Sequence, residues 1–111
     1  MIYTQELVVA TILIQTGHDV EFLPVKRIRT ADIRYLGLEW EIKSPRGKSS
    51  RTIENNIRTA IGQSCNIIID LSRIPILEEK AISEVRKQVS KTKNIKKVLI
   101  ITKNQEIVSI K

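Results

Sequence analysis

The stretch Ala31-Asp-Ile-Arg-Tyr-Leu-Gly-Leu-Glu-Trp-Glu-Ile-Lys43 constrains the fold more than any other part of the chain. Apolar and polar residues alternate on both sides of Leu36-Gly37, the period of half-buried strands rather than of a helix. Two short strands joined by a tight turn follow. On the first arm Ile33 and Tyr35 share one face, and Asp32 and Arg34 the other. On the second arm Leu38, Trp40 and Ile42 share the apolar face, and Glu39, Glu41 and Lys43 the polar one. A two-residue turn sets Asp32 opposite Glu41, with β-carbons roughly 5 Å apart. Two carboxylates at that spacing repel, and a divalent cation between them removes the cost. Lys43 projects from the same face. Asp, Glu and Lys thus converge on one face of a strand pair. The same register also pairs Arg34 with Glu39, so a purely structural hairpin with cross-strand salt bridges is the competing reading.

The rest of the chain supplies elements to surround such a hairpin. Residues 2–16 read as a helix with Leu7, Ala10 and Ile14 on its buried stripe, flanked by Val8 and Thr11, and with Gly17 as its stop. Glu6 lies beside that stripe. Val20 to Leu23 form a short strand closed by Pro24, and residues 24–30 a basic connector. His18 falls in a loop with no partner at metal-ligand spacing. Ser44-Pro-Arg-Gly-Lys-Ser-Ser50 is a basic, turn-rich loop without the spacing of a P-loop. A helix is expected from Arg51 to Ser64, N-capped by Ser50, with Ile53, Ile57, Ala60, Ile61 and Ser64 inward. Arg51, Asn55 and Arg58 lie off that stripe, where phosphate contact is possible. Cys65 to Leu71 is β-branched and nearly continuous in apolar character, the mark of a central strand covered on both faces. Pro75 opens a long helix to about residue 92, with Ala81, Ile82, Val85 and Val89 inward and Lys80, Arg86, Lys87 and Lys91 on a solvated face. Lys97 to Ile101 and Glu106 to Ile110 are closing strands around a Lys103-Asn104-Gln105 turn. The order α-β-β-β-α-β-α-β-β is an α/β fold in the loose sense, a mixed sheet flanked by helices.

Size and charge narrow the function. The 111 residues make one domain, 1–111. No apolar run reaches the roughly 18 residues of a membrane helix, and no signal peptide is evident. Cys65, the single cysteine, reads as a buried structural thiol and makes neither an internal disulfide nor a zinc cluster. Lys and Arg number 19 against 12 Asp and Glu, a net charge of +7. That excess favours polyanions: nucleic acid first, an acidic protein second, anionic lipid third. Aromatic content of 4% argues against an RNA-stacking sheet. No helix-turn-helix or zinc pattern points to a reader of DNA sequence.

A leading helix bearing Glu6, a strand pair bearing Asp32 and Glu41-Ile-Lys43, then a helix and a central strand resemble the PD-(D/E)XK nuclease superfamily. More narrowly, EWEIKSPRGKSS followed by NNIRTAIGQSCNIIIDLS resembles the CdiA-type C-terminal tRNA nuclease toxin domains of contact-dependent inhibition. The resemblance runs from residue 2 to about residue 101. It departs at Ala31, where the superfamily often has Pro. What it implies is a set of roles. Asp32 and Glu41 would ligate Mg²⁺ or Mn²⁺, and Lys43 would orient water or steady charge on the phosphorane. Glu6 would support the metal, Gln63 would sit next to the site, and Lys48, Arg51 and Arg58 would hold the substrate backbone. A metal-free route, with the RNA 2′-hydroxyl as internal nucleophile and Glu41 or Asp32 as base, stays open.

The leading expectation is thus a toxin-type ribonuclease acting on tRNA. It would be delivered into the cytoplasm of a neighbouring bacterium as part of a larger secreted protein and neutralised by an acidic immunity protein. A DNA endonuclease of the same superfamily and a non-catalytic nucleic-acid-binding domain are the alternatives.

Overall fold

The computed structural model describes residues 4–24 and 31–111. The elements run α1 (Thr4–Ile14), β1 (Val20–Phe22), β2 (Ile33–Tyr35), β3 (Leu38–Lys43), α2 (Thr52–Ala60), β4 (Asn66–Asp70), α3 (Glu78–Lys91), β5 (Lys97–Ile101) and β6 (Ile107–Ser109), the order expected from the sequence. Of the basic connector read over residues 24–30, residues 25–30 lie outside the described residues.

All six strands form one mixed sheet in the order β1-β2-β3-β4-β5-β6. The hairpin forms as its pattern requires: Leu36 and Gly37 both take left-handed backbone, φ 56° and 75°, matching the twist of a two-residue turn. β1, β2 and β3 are antiparallel, whereas β3, β4 and β5 are parallel and β6 returns antiparallel. Parallel neighbours need crossovers, and α2 and α3 supply them. β4 is buried along its whole length, as its unbroken run of Ile demands.

Two cores lie on the two faces of this sheet. Ile67, Ile69, Val98 and Ile100 pack with Ile53, Ile57 and Ala60 of α2 and Ala81, Val85 and Val89 of α3. Ile33, Tyr35, Trp40, Ile42, Ile68 and Ile101 pack with Val9, Ile12 and Leu13 of α1. Each fully buried side chain of this size contributes about 1.5–3 kcal/mol of transfer free energy.

Several local expectations are corrected. The buried side of α1 is Val9, Ala10, Ile12 and Leu13, whereas Leu7 and Ile14 are 52% and 53% exposed. The helix is apolar nearly all round, so its composition leaves the inward face undetermined until the sheet chooses one. The N-cap of α2 is Arg51, not Ser50, and no side chain caps it. The Ser49 hydroxyl instead accepts the Arg51 amide at 3.1 Å, one residue short of the helix. α3 starts at Glu78, three residues after exposed Pro75. Cys65 is only half-buried, because it precedes the covered strand rather than lying in it.

Candidate active site

The polar face of β3 crosses from a covered to an open half of the sheet. Glu41 and Lys43 lie beside Ile67 and Ile69 in the parallel register, so they border the α2–α3 core. On the other side, β1 and β2 carry an exposed row across the same face. Arg34 bridges Glu21 at 2.7 Å and Glu39 at 3.1 Å. The cross-strand pair of the structural reading is therefore real, and it occupies only the outer part of the hairpin.

The inner part is different. The ladder between β2 and β3 ends at Ile33 opposite Trp40. Asp32 lies one step beyond, where its amide donates to the Trp40 carbonyl at 2.9 Å. Its Oδ2 accepts the Ile42 amide at 2.7 Å, which pins the carboxylate against β3 between Glu41 and Lys43. Glu41 is 6% exposed, and its Oε1 has no hydrogen-bond partner. Lys43 Nζ stands 3.4 Å from Glu41 Oε2. Burial first, then the Asp32 charge and a hydrogen bond with Asp32, raise the Glu41 carboxyl from its ordinary value near 4.5, and with Lys43 offsetting part of the rise it stands at about 8. A buried acid with an orphaned oxygen beside a second acid is costly for structure alone. Such groups gather at sites of chemistry or ligation.

The donor chemistry suits a hard divalent cation, which takes carboxylate oxygens. Among the described residues no group of three or more His, Cys, Asp and Glu side chains could hold a metal ion. Glu6 lies in the first turn of α1, a helix that packs on the opposite face of the sheet.

The basic residues divide. Arg51 and Arg58 both hold Glu54, at 3.2 and 3.3 Å, on one flank of α2. Gln63 follows in the turn after α2, where Ser64 Oγ donates to the Glu39 carbonyl, so it stands at the Glu39 end of β3. Lys48 is exposed in a cleft with α3 residues. The structure thus brings Asp32, Glu41 and Lys43 together, pairs Arg51 and Arg58 with Glu54, and places Lys48 in a cleft with α3 residues.

One supporting group was not singled out from the sequence. Asp70, 1% exposed at the end of β4, accepts hydrogen bonds from Gln5 and from Ser44 Oγ, the latter at 3.0 Å. Its Oδ1 accepts the Ser72 amide at 3.0 Å. Ser44 directly follows Lys43, so Asp70 anchors the exit of the site strand. The signal was an acid closing an otherwise all-apolar run, which must find donors when buried.

The model of the contact-dependent growth inhibition CdiA C-terminal domain family matches residues 29–107. The chain belongs to that family. The CdiA C-terminal match takes in Asp32, Glu41 and Lys43 and leaves out α1 with Glu6. The fold is similar to a chain in the solved CdiA-CT/CdiI toxin and immunity complex from Burkholderia pseudomallei. The TM-score is 0.75 and the identity 23%, over 96% of this chain and 82% of that one. No curated protein matches the sequence.

Proposed function

We propose that this CdiA C-terminal domain is a nuclease effector that cleaves tRNA phosphodiester bonds at Asp32, Glu41 and Lys43. The observation that carries the reading is the buried Glu41 carboxyl, one oxygen unpartnered, between Asp32 and Lys43 at the edge of an open sheet face. The arrangement fits the PD-(D/E)XK pattern of Asp followed by Glu-x-Lys on adjoining strands. Asp32 and Glu41 would hold Mg²⁺ or Mn²⁺. When bound, such an ion polarises a phosphoryl oxygen and lowers the pKa of water. Lys43 offers a charge-assisted hydrogen bond to the oxygens that gain charge as the phosphorus becomes five-coordinate. The Ile42 amide fixes Asp32, and Asp70 fixes the strand exit through Ser44, so both groups are oriented before substrate arrives.

A metal-free route has its own support. Glu41, its proton retained to about pH 8, is poised to donate that proton to a leaving 5′-oxygen, while Asp32 accepts one from a ribose 2′-hydroxyl.

By analogy with the toxin and immunity complex, we assign an acidic immunity protein as the partner of this basic chain, and the cytoplasm of a recipient bacterium as the place of action. The test is cleavage of total bacterial RNA and of plasmid DNA, with Mg²⁺ and with EDTA. Wild type runs beside Asp32→Ala, Glu41→Ala and Lys43→Ala. Discrete tRNA fragments, reduced by 10²-fold or more in each variant, are expected. Nicked plasmid with intact tRNA would transfer the proposal to DNA, and no cleavage of either would overturn it.

A further inference from the structure

Among the described residues, one cleft gathers three lysines, and neither Asp32 nor Glu41 lines it. Between the start of α2 and the outer face of α3, a cleft of about 420 Å³ is lined by Lys48, Ser49, Ser50, Lys80, Ser83 and Lys87, with Ile53, Ile76 and Glu84 completing it. The α3 lysines read from sequence as a solvated face, because nothing local shows that the loop after β3 folds against them. Tertiary packing brings Lys48, Ser49 and Ser50 to the same hollow.

We propose that this cleft holds the phosphodiester backbone of the substrate strand at a distance from the bond that is cut. The proposal rests on the nuclease reading and adds a second docking point to it. Three ammonium groups supply charge, and three serine hydroxyls supply donors that suit phosphate oxygens without reading a base. Glu84, the single acid in the cleft, is engaged by Gln88 at 3.3 Å, so the balance there is cationic. The geometry is compatible with one continuous strand. Lys48 follows Lys43 by five residues, so the two α-carbons lie at most about 18 Å apart. That is the rise of roughly five nucleotides of one strand.

The experiment measures RNA binding rather than cleavage. A Lys43→Ala chain, silenced for chemistry, is titrated by fluorescence anisotropy against labelled tRNA over a series of salt concentrations. Three further chains share that background: Lys48→Gln/Lys80→Gln/Lys87→Gln, Glu84→Gln, and the control Lys93→Gln/Lys96→Gln/Lys97→Gln. The control removes the same charge from exposed positions outside the cleft. The cleft triple is expected to weaken binding at least tenfold at low salt and to flatten the log–log salt slope by about two to three. Glu84→Gln is expected to tighten binding, and the control to change the slope by less than one. Equal effects of the two triples would overturn the proposal, since net charge alone would then explain binding. So would an unchanged slope in the cleft triple, including the case where that variant loses only an acidic protein partner. Cleavage by the Lys43-intact cleft triple on a dinucleotide too short to span both points separates the two readings. Retained cleavage with a changed tRNA slope supports both, and retained cleavage with an unchanged slope overturns the cleft alone. Wild type that binds tRNA through the cleft yet cuts nothing would overturn the nuclease reading alone.

Discussion

Glu41 carries a proton where most glutamates do not, and this sets a pH dependence whose sign is determined. Its carboxyl rises from near 4.5 to about 8 on folding, chiefly by burial. Between those values the folded chain binds a proton that the unfolded chain releases, so this group's contribution is complete below about pH 4.5 and declines as pH climbs toward 8. Thermal melts should show stability falling across that window in wild type, with a smaller fall in Glu41→Gln. At pH 8 that variant should be the more stable chain by about 1 kcal/mol, the trade expected where a site is held against its own stability. An equal slope in both proteins would assign the pH dependence to another group. Lys43→Ala removes the cation that offsets part of the rise, so the Glu41 carboxyl should shift further upward, as carbon-detected NMR titration would show. Asp32 and Glu41 were legible as facing acids because strand alternation leaves few other placements. The Asp32 link to the Ile42 amide was not, because it depends on the ladder stopping one residue short.

The elements show where local chemistry decides structure and where it does not. The Leu36-Gly37 turn needs left-handed backbone at both positions, which Gly accepts freely and Leu does not. Leu36→Asn should therefore stabilise the hairpin by roughly 0.5 kcal/mol, and Gly37→Val should cost 1 kcal/mol or more, read as shifts in urea midpoint. α2 begins without a side-chain cap, so Arg51→Asp at its N-cap should gain about 0.5–1 kcal/mol. Such a gain would also show that Arg51 can be removed without harm to the Glu41 pair. The inward stripes of α2 and α3 were readable because charged residues mark their outer faces. The stripe of α1 was not, because Leu, Val, Ile and Ala surround it on every side, and only its contact with Ile33, Trp40 and Ile68 picks Val9, Ile12 and Leu13.

At the scale of the whole molecule, one sheet shared by two cores makes stability and site geometry inseparable. Trp40 is 1% exposed at the centre of the α1-side core, and its indole donates to the Tyr35 carbonyl at 2.8 Å. Trp40→Ala should cost about 3–5 kcal/mol, a large share of the roughly 5–15 kcal/mol of a domain this size. Chemical denaturation measures that cost directly. If the carboxylate pair holds a divalent cation, millimolar Mg²⁺ should raise the melting temperature of wild type and leave Glu41→Gln unmoved. By itself the sequence determined the element order, the hairpin with its turn, the central buried strand and the Asp32–Glu41–Lys43 face. Each of these follows from periodicity or backbone chemistry within about a dozen residues. Tertiary structure alone decided that Asp70 anchors the strand after Lys43, and that Lys48 meets Lys80 and Lys87 across a cleft. Those pairings join residues distant in sequence or depend on which way a helix faces. Their free energy comes from how the layers pack, which no local pattern encodes.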